Sequence, residues 1–85
     1  MDRREMTRNF IRKNMVPQKR SLDFGDDEDI FKSGFVDSMM ALKLVTFIEK
    51  TFDIVVEDEE LDVSTFSTVD RIENFIAFKR GEGSA

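Results

Sequence analysis

The stretch Asp29-Ile30-Phe31-Lys32-Ser33-Gly34-Phe35-Val36-Asp37-Ser38-Met39 decides how this chain is read. It closes a long connection and opens the longest apolar-periodic segment. Beyond it, Ala41, Leu44, Val45, Ile48 and Phe52 recur at helical spacing, with Leu42 and Phe47 widening the stripe. That pattern predicts a helix over 38–52. Asp37 suits its N-cap, because a carboxylate there accepts an N–H from the first turn. Gly34 supplies a backbone angle closed to residues with a Cβ. Ser38 therefore stands at the mouth of a helix, beside an acidic group. The chain holds no histidine and no cysteine. Only Lys43 or a carboxylate is left to activate the hydroxyl, and nothing in the sequence places either one for that task. A serine so placed reads as an attachment point rather than a catalyst. The bland alternative is an ordinary first-turn serine.

Upstream, Met6, Phe10 and Ile11 at helical spacing predict a first helix over 2–15, capped by Asp2, with Met15 extending its face. Val16-Pro17 ends it, since the residue before proline is pushed out of the helical region. Residues 18–37 form a long connection, pinned to the core by Leu22, Phe24, Ile30, Phe31 and Phe35. Asp26-Asp27-Glu28-Asp29 is placed to open a short helical turn. Downstream, Asp53-Ile54-Val55-Val56 runs extended. Residues 57–63 are expected to form a short third helix with Leu61 as its inward anchor. Ser67-Thr68-Val69-Asp70 fits a capping box. The last helix is expected over 68–80, with Val69, Ile72, Phe75 and Ile76 facing inward. Lys79 and Arg80 complement its C-terminus and Gly81 adopts the left-handed stop. The expectation is an all-α protein: a small four-helix bundle with a short third helix and a long first loop. Residues 1–80 make the domain and 81–85 a mobile tail.

Composition narrows the function. With 85 residues the chain suits one small domain, and 40% apolar against 36% charged residues is a globular balance. Without cysteine there is no disulfide framework or thiol nucleophile, and no histidine or cysteine offers a transition-metal site. The net charge of −5 is uneven. Residues 1–20 carry seven basic and two acidic side chains, and the remainder six basic and sixteen acidic. The basic first helix can pair with the acidic body or dock to an acidic partner. The negative body repels phosphate and argues against nucleic acid. The acidic runs fail the calcium loop that needs Gly at its sixth position and Glu at its twelfth. Counted from Asp23 those positions are Glu28 and Gly34, and counting from Asp26 puts Ile30 at the fifth. No apolar run resembles a secretory segment or a membrane span, so the expected compartment is the cytoplasm.

The residues 29–39 quoted above resemble the core of the acyl carrier protein family, including its peptidyl and aminoacyl carrier domains. The family's pattern runs acid, apolar, Phe or Leu, two variable residues, Gly, two more residues and Asp-Ser-Leu. Thr65-Phe66-Ser67-Thr68-Val69-Asp70-Arg71-Ile72 is similar to the opening of the family's last helix. The resemblance runs from about residue 5 to residue 80, and with it the expected bundle becomes one of the acyl-carrier type.

This resemblance implies that Ser38 receives 4′-phosphopantetheine from coenzyme A and that acyl or aminoacyl groups ride on the arm's thiol as thioesters. The protein is then a carrier, not an enzyme, and serves as a substrate of partner enzymes. Those are a phosphopantetheinyl transferase, a loading enzyme and downstream synthase or tailoring enzymes. Asp37 takes the roles of helix cap and transferase recognition. Met39, Met40 and Lys43 are candidates for the partner surface, Met39 as the exposed neighbour of Ser38 in place of the family's Leu. Fatty-acid-type carriers present an acidic second helix. Here Met40, Lys43 and Lys50 weaken that character, which points to specialised biosynthesis of the polyketide or nonribosomal-peptide type rather than fatty acid synthesis. A monomer is expected. The competing reading is a carrier-like helical scaffold that is never modified and only binds a partner protein.

Overall fold

The computed structural model describes residues 2–82. Three α-helices, α1 (Arg3–Lys13), α2 (Met40–Phe52) and α3 (Val69–Lys79), are joined by segments held in short 3₁₀ turns at Pro17–Lys19, Asp58–Glu60 and Val63–Phe66. No strand occurs among the described residues. The architecture is all-helical as expected, but with three α-helices rather than four.

The expected third helix breaks into two 3₁₀ turns for a local reason. The Glu57 N–H donates to the Glu60 carboxylate at 2.8 Å and closes a single turn. Asp62 then runs extended, and its carboxylate accepts the Ser64 N–H and starts a second turn. Leu61, expected as the inward anchor, is 49% exposed. The anchor is Phe66, which is fully buried and meets Phe75 edge-on at 5.5 Å.

Each α-helix owes its placement to an apolar stripe of period about 3.6. α1 buries Thr7 and Ile11, and Met15 continues the face beyond its end. Asp2 caps it by accepting the Glu5 N–H at 2.8 Å. α2 buries Met40, Leu44, Ile48 and Phe52, four residues apart. Leu44, Ile48 and Phe52 lie in the stripe as the sequence pattern placed them, but Met40 rather than Ala41 heads it, Ala41 and Val45 are only half-buried and Leu42 is exposed. α2 ends on Asp53 in the left-handed conformation (φ 55°), and the Arg80 guanidinium donates to the Phe52 carbonyl. α3 buries Val69, Ile72 and Ile76, with Phe75 packed at the core margin. Its cap is Thr68, whose hydroxyl accepts the Arg71 N–H at 2.9 Å. That is one residue past the expected cap: Ser67 closes the preceding 3₁₀ turn, its hydroxyl donating to the Ser64 carbonyl at 2.9 Å.

The long connection is ordered by three backbone bonds at its beginning, middle and end. The Val16 N–H donates to the Phe35 carbonyl, Ile30 N–H to Ser67 and Asp70 N–H to Asp26. Phe24, Ile30, Phe35 and Val36 are buried beneath it and Phe31 packs at the margin, while Leu22 is exposed and anchors nothing. The acidic run opens turns as expected: the Glu28 N–H donates to the Gly25 carbonyl at 3.1 Å, and Asp29 starts a second turn. The Asp29 carboxylate accepts the N–H groups of Phe31 and Lys32, and the Ser33 N–H closes back on the Asp29 carbonyl. Gly34 takes φ 73° and Gly81 φ 74°, the left-handed angles read from the sequence.

The basic first helix is neutralised by the body it packs against. Arg3 pairs with Glu73 and Glu82, Arg4 with Asp26 and Asp70, Arg8 with Asp23 and Asp26, and Arg12 with Asp23. The hydrogen bonds that Arg3 donates to Glu82 and then to Glu73 raise its guanidinium's pKa further above its already high value. Of the expected free tail, Gly81 and Glu82 are held in place: the Glu82 N–H donates to the Ala77 carbonyl and its carboxylate meets Arg3 and Arg80. Residues 83–85 lie outside the described residues.

Candidate attachment site at Ser38

Ser38 sits in the turn that leads into α2, and the chain on both sides holds it outward. Val36 is 6% exposed and Met40 1%, so the backbone is pinned two residues before and two residues after the serine. Asp37, Ser38 and Met39 between them are all exposed. The Asp37 carboxylate accepts the Met39 N–H at 3.0 Å and its carbonyl accepts the Met40 N–H at 3.1 Å. Asp37 thus closes the turn around Ser38 from both its side chain and its backbone, but the N-cap position of α2 falls on Met39 rather than on Asp37 as expected. The regular helix begins at Met40, two residues later than the periodicity suggested.

Behind this turn, Gly34 reverses the chain. Its N–H donates to the Phe31 carbonyl, and the next residue, Phe35, donates to Ile30 and accepts from Val16. A Cβ at Gly34 would meet only the Lys19 Cε at 4.0 Å. The backbone angle, not space, is what glycine supplies there.

The Ser38 hydroxyl has no hydrogen-bond partner among the described residues. An open hydroxyl in water, at the start of a helix whose first N–H groups lack intrahelical acceptors, fits a phosphate ester. The Asp37 carboxylate is occupied with the turn's N–H and does not restrain the serine oxygen.

The predicted partner residues separate. Met39 is 58% exposed beside Ser38, as expected. Met40 is not on the surface: it heads the buried row with Leu44, Ile48 and Phe52, because residues four apart share one helix face. Lys43 is exposed one turn along, its N–H donating to the Met39 carbonyl. Leu42 belongs with them, although its apolar character hid it in the stripe. It is 61% exposed because it lies about 200° around the helix from Met40.

Two grooves flank the first turns of α2. One, of about 200 Å³, is lined by Ala41, Leu42, Val45, Leu61, Val63 and Phe66 and separates α2 from the 3₁₀ turns. The other, of about 500 Å³, runs between α1 and α2 past Phe10, Leu42, Lys43, Phe47 and Lys50. A cleft of about 550 Å³ between the long connection and α3, with Asp29, Phe31, Lys32 and Arg71 in its walls, contains none of the site residues. Among the described residues no group of His, Cys, Asp and Glu is arranged to hold a metal ion, and no helix is long and apolar enough to cross a membrane.

The small helical fold leaves the Ser38 hydroxyl exposed in the turn before α2. Residues 16–76 match the family described as the phosphopantetheine attachment site, and the chain belongs to that family. It is similar to the D-alanyl carrier protein of Lactococcus lactis subsp. lactis, 34% identical over 56 residues, which cover 66% of this chain and 71% of that protein. The D-alanyl carrier proteins of two strains of Lactococcus lactis subsp. cremoris are 37% identical over 46 residues, 54% of this chain and 58% of theirs. No solved structure matches. The protein is thus a phosphopantetheine-dependent carrier, and its cofactor is a covalently attached 4′-phosphopantetheine. Carriers of this kind are acted on by partner enzymes, a transferase and a loading enzyme among them.

Proposed function

We propose that Ser38 is the attachment residue and that residues 1–80 act as one carrier domain for an activated acyl or aminoacyl group. The observation that carries this is the outward, unengaged hydroxyl of Ser38 between two buried anchors, Val36 and Met40. When bound, the cofactor supplies a thiol, which the chain itself lacks, and the cargo is held on it as a thioester. The chain's own residues do the presenting. Asp37 fixes the turn and marks it for the transferase. The start of α2 favours the phosphate's charge. The packed stripe of α2 keeps the attachment point rigid while the tether gives the cargo a high effective concentration at a docked enzyme.

For the cargo, the D-alanyl carriers among its relatives favour an amino acid or another small acyl group. The lack of an acidic α2, which carries Lys43 and Lys50 against Glu49, accords with a discrete carrier in specialised biosynthesis, of the polyketide or nonribosomal-peptide type, rather than in fatty acid synthesis. Its place of action on this reading is the cytoplasm, as a monomer.

Incubation with coenzyme A and a broad-specificity phosphopantetheinyl transferase tests this. Intact mass should rise by one phosphopantetheine in the natural protein and stay unchanged in Ser38→Ala. A natural protein left unmodified by transferases of differing specificity would turn the reading toward a scaffold that only binds partners.

A further inference from the structure

We propose that the groove between α1 and α2 is the docking surface for a helical segment of a partner protein that presents apolar residues flanked by carboxylates. This deepens the carrier reading and rests on it.

The floor of the groove is apolar. Phe10 of α1 stacks on Phe47 of α2 with ring centroids 4.2 Å apart and planes 13° from parallel. Leu42, 61% exposed, forms one wall. The charged members of the lining are Lys43 and Lys50, with no carboxylate among them. In a chain of net charge −5 this local sign is against the average. It is also not spent internally. The arginines of α1 are consumed by Asp23, Asp26, Asp70, Glu73 and Glu82, whereas neither Lys43 nor Lys50 joins an ion pair among the described residues. Glu49, the single acidic residue of α2, is turned away to accept the Val56 N–H at 2.9 Å.

Charge and spacing then name the occupant. Lys43 and Lys50 are seven residues apart, about 10 Å along the helix, so they match carboxylates at i and i+7 on an opposing helix. A basic segment would be repelled at both positions. A nucleic acid or an extended anionic surface would meet the negative body as well as the two lysines, whereas a short segment with a few local carboxylates meets only the groove. Leu42 and Lys43 are four and five residues from Ser38, so a partner seated here lies at the base of the tether.

The test uses the full ¹⁵N-labelled chain and two synthetic amphipathic helical peptides with one leucine stripe, flanked by Glu in the first and by Lys in the second. The Glu peptide should shift amide resonances of Phe10, Leu42, Lys43, Thr46, Phe47 and Lys50, and the Lys peptide should not. The double variant Lys43→Glu/Lys50→Glu alters exposed side chains only and should unfold at the natural temperature. It should bind the Glu peptide about tenfold more weakly and favour the Lys peptide. Equal binding of both peptides, shifts confined to another face, or no binding of the Glu peptide would overturn the proposal. So would phosphatidylglycerol vesicles shifting these resonances where the Glu peptide does not. Intact mass after transferase treatment reports separately on Ser38, so failure of the carrier reading is distinguishable from failure of this one.

Discussion

Replacing Met39 and Met40 one at a time with alanine tests the rotation of α2 that turns Ser38 outward. The two side chains are chemically identical and adjacent, yet Met40 is 1% exposed and Met39 58%. Truncating a fully buried methionine removes apolar contacts and leaves a cavity, at a cost of about 2–4 kcal/mol. Truncating one in water changes stability by no more than about 0.5 kcal/mol. For a domain of this size, whose stability is on the order of 4–13 kcal/mol, the first change is a large fraction of the whole. With a urea dependence of about 1 kcal/mol per molar, Met40→Ala should lower the unfolding midpoint by roughly 2–4 M and Met39→Ala by less than about 0.5 M. Far-ultraviolet circular dichroism during urea titration measures both. Equal losses, or a larger loss for Met39→Ala, would contradict the orientation of α2 that buries Met40 and leaves Met39 in water beside Ser38.

Three further outcomes follow from other parts of the fold. Arg4 bridges Asp26 of the long connection and Asp70 of α3 but is 41% exposed; Arg4→Ala should cost about 0.5–1 kcal/mol in thermal or urea unfolding, and the difference should shrink in 1 M salt (about 1 M). Asp23, Glu60, Asp62 and Glu82 are held below the ordinary carboxylate range, by the Phe24 N–H, the Lys79 ammonium, the Ser64 N–H and the Arg3 guanidinium respectively. The unfolded chain therefore binds protons more readily at these sites, so their contribution is complete above about pH 5 and is lost as the pH falls through and below about 4; unfolding midpoints measured from pH 7 downward should stay level and then drop in that window. Gly34→Ala should destabilise by about 1 kcal/mol through backbone strain alone, because no atom obstructs the added Cβ; a loss of several kcal/mol would indicate a steric clash that the structure does not contain.

The stretch from Asp29 to Met39 made the turn at Ser38 legible because each part has a local cause. Asp29 and Asp37 accept nearby N–H groups, and Gly34 takes an angle that glycine favours. The three α-helices were legible from their stripes for the same reason. What the pattern missed depends on contacts between distant residues. Asp70 reads as a capping carboxylate, but it pairs with Arg4 at the other end of the chain. Leu61 and Phe66 are both apolar and five residues apart, and only packing against Phe75 selects Phe66 as the anchor. Met40 and Leu42 exchange the positions that apolarity assigned them. The stripe of α2 contains more apolar residues than its buried face can hold, so the pattern alone leaves its centre uncertain by one residue. The pairing of the basic first helix with the acidic body was one of two options open in the sequence, and the ion pairs of Arg3, Arg4, Arg8 and Arg12 realise it.

Peptide-level mass spectrometry of the transferase-treated protein tests the attachment reading most directly, because serines at 21, 33, 64, 67 and 84 provide internal controls. The phosphopantetheine should appear on the peptide that contains Ser38 and on no other. An adduct on any of the other serines, or a Ser38 peptide that stays bare while the protein is modified, would contradict it.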